Sequence, residues 1–197
     1  MHSALEEGEP AASWSALDPD AKRDRLLLAA ERVFARDGLE APMPTIAQAA
    51  GAGVGSLYRQ FPSKDELVAA LAERRLHALA AELETALGEP RAWVALERFL
   101  WHVLGDGASD DVSARAIAAA AADAPVREAR EHVRGLLDAL VGRAQAQGDM
   151  RADATRLDVS LVIMAARAVR HVSPAAWRRI VELSLDGLRA APTPPSP

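Results

Sequence analysis

Between residues 45 and 64 the chain gathers side chains that can meet a polyanion and read its edges: Thr45, Gly55, Ser56, Tyr58, Arg59, Gln60 and Lys64. Arginine and glutamine can grip guanine and adenine through paired hydrogen bonds, while hydroxyls and amines contact phosphate. Tyr58 joins a flat apolar ring to a hydroxyl, and Gly55 lets another backbone come close. This chemistry recognises and does not make bonds. The competing chemistries find little support. Gly51-Ala52-Gly53-Val54-Gly55 lacks the GxGxxG spacing, the Walker lysine and a preceding strand that a phosphate-binding loop requires. No GxSxG elbow surrounds Ser56. With no cysteine, there is no thiolate nucleophile, disulfide or thiolate-held metal. His77, His102, His132 and His171 fall one to a helix; Glu128 and His132, four apart, suit a solvated ion pair as well as a metal. Accordingly no catalytic residue, cofactor or metal is expected.

The recognition side chains need a rigid mount, and the surrounding pattern supplies one. A helix over 20–38 is predicted, with Asp20 as its cap, Gly38 past its end, and Leu26, Ala30, Val33 and Phe34 on one stripe. A short helix over 43–50 follows, with Pro44 in its first turn and Ile46, Ala47 and Ala50 facing inward. After the glycine-rich turn comes a second short helix over 54–60, stopped by Phe61-Pro62. Two short helices joined by a tight glycine turn form a helix-turn-helix. Packing Ile46, Ala50 and Leu57 onto the first helix leaves Ser56, Arg59 and Gln60 outward. Ser63 and Glu66 have the spacing of a capping box opening a long helix to residue 87. The chain's net charge is -5, yet residues 22–64 carry seven basic and four acidic side chains. The motif therefore sits in the one locally basic segment, which supports a nucleic-acid partner weakly.

Ala and Leu abound and aromatics are 4% of the chain, with no sustained apolar–polar alternation, so the fold class is all-α. Further helices are predicted over 91–104, 112–122, 126–147, 155–171 and 175–189, about nine in all, each break marked by Gly or Pro. Residues 1–18 read as a disordered arm, 19–62 as the helix-turn-helix domain, 63–190 as a second helical domain and 191–197 as a disordered Pro-rich tail. The acidic first ten residues hold no apolar run and do not read as a secretory signal. The most apolar stretch, over 157–169, is broken by Asp158, Ser160 and Arg167 and falls short of the roughly 20 residues a bilayer needs. A cytoplasmic protein without membrane contact is expected. The near-continuous apolarity of 157–169 predicts burial on both sides.

The residues Ala49-Ala50-Gly51, Gly55-Ser56-Leu57-Tyr58-Arg59-Gln60-Phe61 and Ser63-Lys64-Asp65-Glu66-Leu67 together resemble the TetR family of transcriptional regulators. So does the first helix, from Arg25-Leu26-Leu27-Leu28-Ala29-Ala30 to Phe34-Ala35-Arg36-Asp37-Gly38. The resemblance runs residue by residue from 22 to about 70. It implies a homodimer on double-stranded DNA with a palindromic operator, and a small-molecule effector bound by the C-terminal domain. Candidate effector residues are Trp93, Phe99, Trp101, Met164, Arg167 and His171; Arg170 and His171 also suit a solvated helix C-terminus. The last two helices of the family pair with their copies, which puts Val162, Val169, Trp177, Val181, Leu185 and Leu188 forward as dimer residues. Three departures from the family pattern stand out. Pro42 replaces the usual Ser or Thr cap, after a loop one residue shorter, and Gly53 and Val54 replace polar residues at the start of the second short helix. Each removes a potential phosphate contact, implying modest affinity with a shallow salt dependence. The alternative is a helical ligand-binding or scaffolding protein whose helix-turn-helix has lost DNA.

Overall fold

The computed structural model describes residues 13–105, 108–170, 172, 173 and 175–190, giving the backbone alone for 108–110. The ends of the expected arm and tail, residues 1–12 and 191–197, lie outside the described residues, as does His171. Among the described residues the chain forms nine α-helices and no strand. These are α1 (Pro19–Asp37), α2 (Met43–Ala49), α3 (Val54–Gln60), α4 (Lys64–Gly88), α5 (Ala92–Gly105), α6 (Ala108–Ala119), α7 (Ala124–Ala146), α8 (Arg156–Val169) and α9 (Ala176–Leu188). They fall into two compact units, residues 1–67 and 68–197, and the first turn of α4 goes with the first unit.

Helix starts follow local chemistry. Asp18, and not Asp20, caps α1: its carboxylate accepts from the Ala21 amide at 2.8 Å, and Pro19 fills the first helical position. Residues 13–18 of the expected arm are thus partly ordered, with a 3₁₀ turn at Trp14–Ala16 leading into the cap. Gly38, at φ 82°, ends the helix by donating its amide to the Phe34 carbonyl. Ser63 accepts from the Glu66 amide at 3.1 Å, opening α4. Asp123 caps α7 from just before Pro125, accepting from the Val126 amide at 3.2 Å. At α8 the Asp158 carboxylate accepts from the Thr155 amide at 2.7 Å and from its hydroxyl at 2.8 Å.

In the C-terminal unit, α5 supplies Trp93, Leu96, Phe99, Leu100, Val103 and Leu104 to one core, joined by Leu140 and Val141 of α7 and Val159 and Val162 of α8. The end of α7 grips the α4–α5 turn: Arg143 donates to the Leu87 and Glu89 carbonyls, while Gln147 donates to Pro90 and accepts from the Ala92 amide. An isolated antiparallel bridge, Met150 with Arg189, ties the end of α9 to the α7–α8 loop. Helix α8 corrects one expectation. Val159, Val162 and Ala166 are buried, but Leu157, Leu161 and Met164 are 59%, 49% and 63% exposed. Among the described residues α8 packs chiefly against α5, α7 and α9 and leaves those three side chains exposed, so its apolarity does not mean burial on both sides.

Truncating fully buried Leu140 to Ala is expected to cost about 2–5 kcal/mol in denaturant unfolding followed by tryptophan fluorescence. Leu28→Ala, on the exposed face of α1, is expected to change stability by roughly 0.5 kcal/mol or less. The Thr155 amide, then its hydroxyl, holds the Asp158 carboxyl below its ordinary value of 3.8. A depressed folded value means the stabilisation is complete above the ordinary carboxylate range and drains away as pH falls through the folded value. An NMR carboxyl titration is expected to place the Asp158 midpoint below 3.8. A midpoint at or above it would contradict this capping arrangement.

Candidate nucleic-acid interface

The first unit is organised by a small apolar core. Leu26, Leu27, Ala29, Ala30, Val33 and Phe34 of α1 are buried, as are Met43, Ile46 and Ala47 of α2 and Leu57 of α3. Helix α2 packs against α1 and α3 against α2. Leu57 is the one fully buried residue of α3, and it sets that helix's rotation.

The turn between α2 and α3 is closed by amides of Ala50, Gly51 and Ala52 donating to Ile46, Gln48 and Ala47 carbonyls at 2.9–3.0 Å. Gly51 sits at φ +66°, a left-handed conformation that side chains disfavour. A Cβ there would also meet the Arg25 guanidinium at 3.2 Å. Arg25 is not among the expected site residues; a basic residue nearly two turns into the first helix carries no local sign that it will reach this turn. Neither α2 nor α3 has a side-chain cap, their cap positions being Pro42 and Gly53.

The expected recognition residues come together on α3 and its flanks. Tyr58 and Arg59 are exposed, Ser56 and Gln60 half-buried, and Gly55 exposed. The Arg59 guanidinium donates to Ser56 Oγ at 2.9 Å, so these two side chains form one polar group. The Gln60 carbonyl accepts from Arg23 at 3.5 Å, and the same guanidinium stacks 4.4 Å from the centre of the buried Phe61 ring. Arg23 thereby fastens the end of α3 to α1. Thr45 is half-buried in the first turn of α2. Lys64, also half-buried, lies 3.4 Å from the fully exposed Glu40 carboxylate. An exposed ion pair of this kind is worth little and is easily exchanged for a phosphate.

The C-terminal candidates scatter. A cleft of about 240 Å³ between α4 and α5 has Phe99, Ala86 and Ala95 in its lining, with Glu82 and His102 3.5 Å apart and Glu89 and Arg98 3.0 Å apart. Phe99 is the one expected effector residue in that lining. Trp93 is instead buried in the core, its indole Nε1 without a hydrogen-bond partner among the described residues. Trp101 packs 5.8 Å from Trp177, and Arg170 covers the Trp177 ring at 5.1 Å. Met164 is exposed and Arg167 half-buried. Of the expected dimer residues, Val162, Trp177, Val181, Leu185 and Leu188 belong to the chain's own core, with Val169 packed against it. Those positions are already covered within the chain, because the apolar stripe of α9 meets α8. A second cavity, of about 380 Å³, is lined by Glu73, His77, Glu128 and His132 with Pro125 and Ala129. His132 Nε2 lies 3.4 Å from Glu84, and no group of three or more Asp, Glu or His among the described residues is placed to hold a metal.

Comparison with known proteins gives a consistent family. Residues 26–71 match the model for bacterial regulatory proteins of the tetR family, and residues 90–190 the model for the C-terminal domain of SbtR-like transcriptional regulators. A TetR transcriptional regulator from Streptomyces coelicolor is similar in structure at 30% identity and TM-score 0.65, the match covering 86% of this chain and 99% of that one. A TetR transcription regulatory protein from Mycobacterium vanbaalenii is similar at 29% identity and TM-score 0.65, covering 86% and 95%. A TetR-family regulator from Agrobacterium tumefaciens, at 21% identity and TM-score 0.68 over 88% and 100% of the two chains, shares the fold. No curated protein matches the sequence. With both units matched and the helix-turn-helix in place, this chain belongs to the TetR family of DNA-binding transcriptional regulators.

Proposed function

We propose that the protein is a homodimeric repressor that holds a palindromic operator and releases it when a small-molecule effector binds the C-terminal unit. The observation that carries this reading is the orientation of α3. Leu57 anchors one side, and Tyr58 and Arg59 stand exposed on the other, with no core role to explain them. On a dimer the two recognition helices enter successive major grooves about 34–36 Å apart. Among the described residues no helix is long and apolar enough to cross a membrane, and a chromosomal target implies a cytoplasmic site of action.

For dimerisation, the exposed apolar faces of α8 and α9 support a different set of residues from the sequence expectation. Leu157, Leu161 and Met164 recur at four- and three-residue spacing along α8, and Leu183 is exposed on α9. A second copy laid on these helices covers that surface, joining four helices into one bundle. For the effector, the α4–α5 cleft offers an apolar floor beside two acid–base pairs. An effector acts by preferring a dimer geometry unfit for the operator; turning a 1:99 population into 99:1 takes roughly 10⁴-fold preference. The absent side-chain caps at Pro42 and Gly53 favour the second reading, a helical binding protein whose helix-turn-helix no longer holds DNA. Tyr58→Phe with Lys64→Ala separates the two, since it weakens DNA binding only in a working regulator.

Fluorescence-anisotropy titration with the gene's upstream DNA, against a scrambled competitor at physiological salt, tests the function. Preference of about 10³-fold or more is expected. Equal weak binding there and in a genome-wide selection of bound fragments would overturn it. The salt dependence is expected to be shallow, and a slope corresponding to roughly ten phosphate contacts would contradict the loss of contacts at residues 42, 53 and 54. Leu161→Glu is expected to yield a folded monomer by light scattering with unchanged helical circular dichroism. A dimer unaffected by that charge would move the interface elsewhere.

A further inference from the structure

The outward face of α3 is not uniformly polar. At about 100° per residue, Leu57 points inward and Gly55 and Arg59 lie opposite it. Ser56 and Gln60, both half-buried, occupy one flank. Val54 and Tyr58, one turn apart, occupy the other, and they are 40% and 45% exposed. The exposed surface therefore splits into a polar side, where Arg59 is tied to Ser56 at 2.9 Å, and an apolar strip.

Val54 has no evident structural task. A β-branched residue is a mediocre helix former, and this one adds little to the core. It does not cap α3, since Gly53 holds that position without a side-chain bond. The space beside it is open. A Cβ built on Gly53 would meet nothing within 4 Å, and one on Gly55 would meet only the Arg59 guanidinium at 3.9 Å. The two glycines that flank Val54 leave its isopropyl group as the most prominent apolar feature of the first turn.

In a DNA major groove the apolar group displayed on a base edge is the C5-methyl of thymine, and small apolar side chains are its natural contacts. The first residues of a recognition helix are the ones that reach base edges. We propose that Val54 is a specificity-determining residue that reads a thymine in each operator half-site through its 5-methyl group, with the Tyr58 ring extending the same apolar wall. This inference rests on the DNA-binding reading given above. Because the contact is apolar, the preference is independent of salt even though overall affinity is not.

The test uses the full chain and a selected DNA. A random duplex library is enriched for bound fragments, and each thymine of the selected half-site is then replaced in turn by uracil, which pairs identically but lacks the methyl. For the wild-type protein, one thymine-to-uracil change is expected to weaken binding about fourfold, the worth of one buried methyl-sized group. Val54→Ala is expected to bind the thymine and uracil duplexes equally, with circular dichroism unchanged because the residue is exposed. Two results would overturn the proposal: no thymine whose methyl matters to the wild type, or an undiminished uracil penalty in Val54→Ala. A library that yields no enriched sequence at all would remove the DNA-binding reading itself, and the proposal with it. Failure at either level is thus recognisable.

Discussion

The orientation of α3 hangs on burying Leu57 while the chain reverses direction at Gly51. Leu57 is fully buried, and the left-handed backbone at Gly51, 66° in φ, lets α2 and α3 meet across a turn closed by three amide–carbonyl bonds. Once those two conditions hold, helical geometry leaves no freedom: burying residue 57 turns 55 and 59 outward, with 54 and 58 beside them. The Arg23 guanidinium on Phe61 then secures the far end of α3. Seven residues make too short a helix to persist alone, so the reading surface exists only because this core imposes it.

The C-terminal unit obeys a different constraint. Its main core takes more buried residues from α5 than from any other helix, and the α4–α5 turn is held by side chains from the end of α7. The exposed leucines of α8 and α9 are left over after that core is satisfied. Leucine and methionine lined up on one helix face are costly to leave in water, and a second copy offers the same apolar surface in return. In the proposed dimer, stability of the unit and assembly would draw on opposite faces of the same two helices.

Most of the helical layout was legible in the sequence, because caps, glycines and prolines act locally. The bounds of α2 and α3 follow from Pro44, Gly51 and Phe61-Pro62, and most of the expected recognition residues, Gly55, Ser56, Tyr58, Arg59 and Gln60, fall on α3, where spacing alone fixes their direction. The misplacements share a cause. Asp18 and Asp20 are equally good caps, and only the position of Pro19 decides between them. Leu157 to Val169 is apolar around most of its circumference, so periodicity cannot say which face the chain itself covers. Trp177, Val181 and Leu185 form a stripe that reads the same whether the neighbour is α8 or another molecule. Trp93 and Phe99, six residues apart on α5, both enter the core, yet only Phe99 also edges a cleft. These distinctions are tertiary, and no single-helix pattern contains them.

In the proposed complex a rigid α3 presents residues 54–60 to DNA while the core behind it stays unchanged. Amide chemical shifts of isotope-labelled protein, recorded as selected operator duplex is added, separate that arrangement from others. The largest changes are expected from Gly53 to Gln60 and at Thr45 and Lys64, with the amides of Leu26 to Phe34 nearly unmoved. Changes concentrated in α1, or in the C-terminal unit with α3 silent, would contradict it.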